Sequence, residues 1–259
     1  MTAITNFAWK GRGRVWVGDS ATGGLREMGN CTAVSIAFDT TEDELPDYRT
    51  TADGNYASDV QIDSCNVSVT FHDMSPDNLA LAFYGTTTAV TAALVSDESL
   101  TVPTDNLLVA TDYMIDCTAA GAFTTATGVG VFSATGGGGT EYTVTGGDYY
   151  VYPGGIKFPA GTSATGTVYA TYMKEAATRV EGLMAASSTK YLQLDLLNKA
   201  GGGEPLVVRI WSFKPAPADD VPFIGGDYAA PVMSGKADAD TSRSSGTSQY
   251  FTIERATTV

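Results

Sequence analysis

Few residues in this chain have the type and spacing that chemistry requires. Its one histidine, His72, stands next to Asp73, and an imidazole beside a carboxylate could act as a general base. However, the motifs Gly-x-Ser-x-Gly, His-Glu-x-x-His and Cys-x-x-Cys are absent from the sequence. A histidine without such a motif is usually structural, and Asp73 and Asp77 are better explained as helix-capping groups than as an acid and a base. We therefore predict that the protein is not an enzyme.

Two further stretches could bind ligands. Thr41–Asp59 is predicted to be a long acidic loop, and its charged residues are Glu42, Asp43, Glu44, Asp47, Arg49, Asp53 and Asp59. The spacing lacks the glycine and acidic positions of a calcium-binding loop, so a polar protein interface is favoured over a metal site. Gly136–Gly139 could cradle a phosphate, but no Lys-Ser or Lys-Thr follows it, so a hairpin tip is favoured. No metal site and no cofactor is predicted.

The three cysteines, Cys31, Cys65 and Cys117, have no metal-ligand spacing and are odd in number. Cys31 shares the strand phase of Ala33, whereas Cys65 shares that of Val67, so the first two thiols are expected on opposite faces. Free thiols in a protein made in a reducing cytoplasm are predicted.

Composition narrows the possible partners. Acidic residues exceed basic ones by 29 to 15, which gives a formal net charge of −14. Such a balance argues against binding a phosphate backbone or an anionic membrane surface, because both need clustered cations. The amino-terminal residues contain no apolar segment typical of a signal peptide, and no run of about 20 apolar residues predicts a membrane span.

Two alternating segments and a capped helix organise the chain. Residues 31–40 place Val34, Ile36 and Phe38 on one face, and residues 60–72 place Cys65, Val67, Val69 and Phe71 on one face. This alternation predicts strands buried on one side only. Ser75 and Pro76 then predict a helix start, and Gly85 predicts its stop in the left-handed conformation. The helix is expected to bury Leu79, Leu81 or Ala82, and Phe83.

This order of elements resembles the tail tube (major tail) proteins of long-tailed bacteriophages. The matching features are Gly29-Asn30, the two long strands flanking the acidic loop, and the Ser75–Gly85 helix. The resemblance implies an all-β protein with one short α-helix, whose β-sandwich protomers form hexameric rings stacked into a tube that conducts DNA. It also implies that the acidic loop reaches an adjacent ring.

The remaining pattern predicts many short strands. Two longer ones, Tyr191–Asn198 and Leu206–Phe213, are expected to join the first pair in an inner sheet, although the facing of the second stays open. In a ring, this sheet would contribute to a closed barrel. The residues expected to line its lumen are Ala33, Ser35, Asp39, Asn66, Ser68, Thr70, Gln193 and Asp195. We predict a single domain over 1–259, with 86–175 as its glycine-rich outer strands.

Two functions of different classes follow. The first is a structural protein of the virion tail, made in the host cytoplasm, whose partners are further copies of itself and other tail proteins, while DNA passes through unbound. The second is a secreted or surface β-sandwich module, an adhesin or carbohydrate binder, which the tyrosines between 149 and 172 could serve. Strand packing explains those tyrosines better. The small basic cluster Lys10–Arg14 is either a solvated arm or a contact for the acidic loop of a neighbouring copy.

Overall fold

The computed structural model describes residues 8–49, 54–117, 129–144, 146–200 and 203–256. Within these ranges the chain forms antiparallel β-sheets and one short α-helix, so the all-β prediction is confirmed at this level. No helix in the described ranges combines the length and the apolar character that crossing a bilayer requires.

The helix α1 spans Pro76–Ala82. The strands are β1 (Gly11–Gly18), β2 (Arg26–Glu27), β3 (Cys31–Pro46), β4 (Asn55–Phe71), β5 (Thr86–Val90), β6 (Ala93–Thr101), β7 (Leu107–Ala110), β8 (Gly130–Phe132), β9 (Glu141–Tyr142), β10 (Tyr150–Tyr152), β11 (Gly155–Phe158), β12 (Thr167–Lys174), β13 (Ala177–Glu181), β14 (Lys190–Asn198), β15 (Pro205–Pro215), β16 (Val232–Ala237) and β17 (Phe251–Arg255).

The chain divides into two compact units, each with its own apolar core. The first comprises Met1–Thr87 and Val180–Val259, and the second comprises Thr88–Arg179. The segment predicted to form outer strands, 86–175, nearly coincides with the second unit. The chain passes between the units through β5 and β13, which pair with each other.

One large sheet builds the first unit. Its strand order is β2-β1-β14-β15-β16-β4-β3, with β17 also paired to β15. All these pairings are antiparallel. The prediction that the two long strand pairs belong to one sheet is confirmed, with β16 inserted between them. One face carries the core, and its fully buried members include Val69, Phe71, Leu192, Ile210 and Met233.

Burial settles which way β15 faces. Val208 and Ile210 point into the core, opposite Leu194 and Leu192 of β14. Arg209 therefore lies on the other face, because successive strand residues alternate.

A β-bulge overturns the prediction for the first cysteine. Cys31 pairs with Phe71 and Ala33 pairs with Thr70, so β3 has one extra residue between these two cross-strand pairs. The bulge shifts the phase of the strand, and Cys31 packs against the same core as Cys65. The expectation of opposite faces is therefore wrong. All three cysteines are free.

The acidic loop expected over Thr41–Asp59 is mostly strand, so that prediction is also wrong. β3 continues to Pro46 and β4 begins at Asn55, and the two pair along their whole length. The distal part, which we call the arm (residues 40–49 and 54–63), is exposed on both faces except at Asp47. At about 3.3 Å per residue, its two strands are about 23 Å and about 30 Å long.

The helix begins as predicted but ends differently. Ser75 is the N-cap, and its side chain accepts a hydrogen bond from the Asn78 amide. The left-handed residue after the helix is Tyr84 (φ 50°), not Gly85. Gly85 instead provides room, because a Cβ there would lie 2.7 Å from the Glu181 carbonyl oxygen.

The face that the helix buries agrees with the prediction at Ala82 but not at Leu79 and Phe83. Asn78 and Ala82, four residues apart, are the fully buried side chains. Leu79 and Phe83 are only half-buried, so the helix rests on a small residue and an amide rather than on a large apolar ring.

The second unit contains two small sheets. β6, β12, β8 and β9 form one, β10, β11 and β7 form the other, and the core between them includes Phe158 and Tyr172. Gly136–Gly139 lies in the connection between the paired strands β8 and β9, as the hairpin-tip prediction requires. Between β7 and β8, Ile115 forms one isolated bridge, with Lys174.

Candidate functional site

The candidate site is the face of the large sheet that points away from the core. On β3 and β4 it carries four of the predicted lumen residues as direct cross-strand pairs, Ala33 with Thr70 and Ser35 with Ser68. These side chains are small and exposed or half-buried. The alternating sequence pattern places them there, because the residues between them fill the core.

Asp39 anchors a polar network at the end of this row. Its carboxylate accepts hydrogen bonds from the Ser64 hydroxyl at 2.6 Å and from the Asn66 amide at 2.7 Å. These two bonds lower the pKa of Asp39 below its ordinary value, with a smaller contribution from the charge of Lys236. The carboxylate is therefore held ionised and in a fixed position.

Gln193 and Asp195 occupy the same face on β14, but they are half-buried. The Gln193 amide nitrogen donates to Asp195 Oδ1 at 2.9 Å, and the Tyr191 hydroxyl donates to Gln193 Oε1 at 3.1 Å. Arg14 of β1 lies directly opposite Asp195 in the ladder. Asp195 is therefore next to a cation in the folded chain.

The two groups of residues share one continuous face. Lys214 of β15 pairs with Lys236 of β16, which pairs with Asn66 of β4. Their core-side neighbours Phe213 and Ala237 are buried. The structure therefore brings all eight predicted lumen residues to one side of one sheet, which we call the polar face.

Sequence reasoning missed the cations of the polar face. They include Arg12, Arg14, Arg209, Lys214 and Lys236, and Arg209 forms an ion pair with Glu254 at 2.7 Å. The polar face is thus of mixed charge rather than uniformly acidic. The sequence does contain a pattern that indicates this placement. If the apolar residues Leu206, Val208 and Ile210 face the core, then Arg209 lies on the opposite face.

A short loop between β16 and β17 covers part of this face. The guanidinium of Arg243 stacks over the ring of Trp211 at 3.6 Å from the ring centroid, and its Nε donates to the Ser248 carbonyl at 2.9 Å. The backbone closes at the base of the loop, where the Asp240 amide donates to the Gln249 carbonyl at 2.9 Å.

The arm carries the residues that were assigned to the inter-ring loop. Asp43 pairs directly with Asp59, and Thr41 hydrogen-bonds Asp63, so these three carboxylates lie on the polar-face side together with Asp39. Glu42 and Glu44 alternate to the opposite side. On that side their cross-strand partners are Val60 and Ser58.

The tip of the arm holds the remaining charged residues. Arg49 forms an ion pair with Asp47 at 3.1 Å and stacks over the ring of Tyr56 at 4.4 Å from its centroid. The hydrogen bonds from Arg49 lower the pKa of Asp47. Asp53 lies outside the described residues.

The remaining chemical candidate is His72. Its Nδ1 lies 2.8 Å from the Ala229 carbonyl oxygen, and its Nε2 lies 3.2 Å from the Thr32 hydroxyl. Both ring nitrogens are thus engaged in holding neighbouring strands. Within the described ranges, no three His, Cys, Asp or Glu side chains are grouped as metal ligands.

Comparison with known proteins gives a family but no activity. No curated protein matches the chain. A family model described as "Protein of unknown function UCP028589" matches residues 8–254 and therefore covers nearly the whole sequence. The chain belongs to this family.

Proposed function

We propose that the protein is a structural, non-enzymatic subunit of a phage tail, which polymerises as stacked rings into a tube that conducts DNA. One observation carries the proposal. All eight residues predicted to line a lumen lie on one face of a single sheet, and the opposite face holds the core. A wall of small and polar side chains on a rigid sheet suits a conduit.

The open edges of this sheet support self-assembly. Among the described residues, β3 pairs only with β4, so one long edge carries unpaired backbone groups. Proteins rarely leave such an edge uncovered, because it templates aggregation. Closing several sheets into one barrel would remove the edges. In the proposed tube the ring is hexameric, as the resemblance implies.

The arm supports a role in stacking the rings. The arm extends beyond the part of β4 that pairs with β16. Four of its apolar side chains are more than half exposed: Leu45, Tyr56, Val60 and Ile62. Apolar side chains displayed on a projecting ribbon favour burial against another subunit. We propose that the arm reaches an adjacent ring, and that the assembled tail also contacts other tail proteins.

DNA passes through the proposed lumen without specific binding. The chain has a net charge of −14, and on the polar face Arg209 forms an ion pair with Glu254. Because the net charge repels a phosphate backbone and a cation that is already paired releases few counterions, duplex affinity at physiological salt is expected to be negligible.

Assembly of the purified protein tests the proposal. Electron microscopy of concentrated protein is expected to show rings or tubes, and a strictly monomeric protein at all concentrations would refute it. That result would favour the surface-module alternative.

Thiol labelling then tests which face lines the lumen. Ser35→Cys places an exposed thiol on the polar face, and Thr104→Cys places one in the second unit as a matched control. A bulky reagent is expected to label Ser35→Cys more slowly in tubes than in subunits. The wild-type chain reports the background from its own three cysteines. Equal rates for Ser35→Cys in both states would show that the polar face does not line an enclosed lumen.

A further inference from the structure

The basic cluster Lys10–Arg14 and the acidic arm lie at opposite edges of the large sheet. In the strand order, β14, β15 and β16 lie between β1 and the two strands of the arm, β4 and β3. The two charged regions therefore cannot meet as neighbouring strands within one protomer. Each can meet its complement on another copy.

The outer edge of β1 offers cations beside unpaired backbone groups. One side of β1 pairs with β14 along its whole length, but on the other side β2 pairs only with Trp16 and Val17, which leaves the outer edge of Gly11–Arg14 without a partner strand among the described residues. Arg12 is exposed and forms no ion pair with any described residue. Arg14 forms an ion pair with Glu27, with 3.6 Å between Nε and Oε1, and the side chain of Arg14 is 66% exposed. Both arginines lie on the polar face.

The arm offers carboxylates on the same face. Asp43 and Asp59 are directly opposite each other, and neither has an ion-pair partner within the described ranges. Like charges directly opposite across an antiparallel ladder destabilise it. An external cation placed between them would relieve the repulsion. Two features therefore point to a cationic partner, the unpaired carboxylates and their unfavourable arrangement.

The strand directions allow the edges to meet. From β1 to β3 the sheet contains six strands, in the order β1, β14, β15, β16, β4 and β3, and each strand runs opposite to its neighbour. Since the number is even, β1 and β3 run in opposite directions. Copies related by rotation about one axis would therefore present β3 of one copy antiparallel to β1 of the next, which is a favourable ladder geometry.

We propose that the arginine edge of one copy, Arg12 and Arg14, binds the carboxylate face of the next copy's arm, Asp43 and Asp59. This inference rests on the proposed self-assembly and adds the contact that selects and orients the neighbour. Complementary charge suits that task. It attracts the arginine edge of one copy to the acidic arm of another, and repulsion between like charges disfavours a contact between two edges of the same kind. A heterologous contact of this type generates rings when its rotation closes. The contact therefore lies within a ring, and the part of the arm beyond Asp43 and Asp59, which carries Leu45 and Tyr56, is left to reach the adjacent ring.

Charge reversal with rescue tests the contact. The first variant is Arg12→Asp with Arg14→Asp, the second is Asp43→Lys with Asp59→Lys, and the third combines all four changes. Each of the first two variants places like charges in the proposed interface. Self-association measured by sedimentation is expected to weaken at least tenfold, which corresponds to about 1.4 kcal/mol. The combined variant restores opposite charges and is expected to recover most of the association.

A matched control separates this contact from a general effect of net charge. Asp219→Lys with Asp220→Lys changes the charge as much as the second variant, at two exposed loop positions. It is expected to assemble like the wild type. Circular dichroism checks that every variant stays folded, and rising salt should weaken wild-type association because exposed charges are screened.

The outcomes are distinguishable. If wild-type tubes form and either reversal variant assembles equally well, the contact is wrong and the proposed function stands. The contact is also wrong if the combined variant fails to recover, or if the control variant is as defective as the second. A wild-type protein that never self-associates overturns both proposals.

Discussion

Asn78 is the residue whose loss should destabilise the first unit most clearly. It is 1% exposed and lies at the start of the helix, where its amide nitrogen donates to the Met28 carbonyl at 2.9 Å and to the Asp73 carbonyl at 2.8 Å. Its Oδ1 accepts from the Arg26 guanidinium at 2.5 Å. One side chain thus ties together the helix, the segment before β3 and the end of β2.

The loss of stability expected for Asn78→Ala follows from the three groups that would lose a hydrogen-bond partner. The Met28 carbonyl is fully buried, and an orphaned buried acceptor costs about 1–3 kcal/mol. The Asp73 carbonyl and Arg26 are only partly buried and recover some hydration, so each adds about 0.5–1.5 kcal/mol. We expect a loss of about 2–6 kcal/mol in the free energy of unfolding. Asn78→Asp, which keeps the size but turns a donor into an acceptor facing two carbonyls, should be no better.

Urea unfolding followed by tryptophan fluorescence measures this loss for the first unit alone, because Trp9, Trp16 and Trp211 all belong to it. Asp77→Ala is the control, since Asp77 is exposed and adjacent in sequence. Its favourable position in the first helical turn is worth about 0.3–1 kcal/mol. A loss below 1 kcal/mol for Asn78→Ala would refute the reasoning and indicate that water replaces the amide at no net cost.

Three other predictions concern single residues of the sheet. Gly13→Val should detach β1 and lower stability in the same urea assay, because a Cβ at Gly13 would lie 2.0 Å from a backbone oxygen of β14; unchanged stability would contradict this. Hydrogen bonds from Ser64 and Asn66 lower the pKa of Asp39, so its contribution to stability is present above pH about 4 and is lost as pH falls through the depressed pKa. Asp39→Asn should therefore flatten the acid limb of a stability–pH curve, and an unchanged limb would show that the carboxylate is not stabilised. Burial, reinforced by nearby carboxylates, raises the pKa of the Cys31 thiol to about 11, so it should react with a thiol reagent at pH 8 only on unfolding. Rapid labelling of the folded protein at that position, located by peptide mapping, would contradict its placement.

The sequence predicts those strands that have one buried face. Val67, Val69 and their polar neighbours alternate because one side meets the core and the other does not, and that physical difference is written in the residue types. The large sheet and most of the polar face could therefore be predicted. The bulge at Cys31 could not, because one extra residue leaves no mark on composition.

The arm was missed for the opposite reason. Neither of its faces is buried, so no alternation appears, and acidic residues such as Glu42 and Asp43 are uncommon in strands. The pairing of β3 with β4 begins over the core and continues into the arm, and a local sequence pattern does not show such a continuation. The helix end was missed because Tyr84 adopts the left-handed conformation that glycine usually takes, and its hydroxyl donates to the Pro215 carbonyl at 2.5 Å.

The continuity of β3 from the core into the arm gives one strand two levels of local stability. At Val34 the strand lies over the core, and those of its amides that are hydrogen-bonded to β4 should exchange with solvent deuterium only when the whole unit opens. At Glu44 the strand has one partner and water on both sides, and an isolated two-stranded ribbon is marginal in water. Amide protection should therefore fall along a single unbroken strand. The root of the arm is therefore expected to hold its position while the distal ribbon twists and bends. In the proposed tube, this would let one ring stay in contact with a neighbouring ring whose distance and angle change.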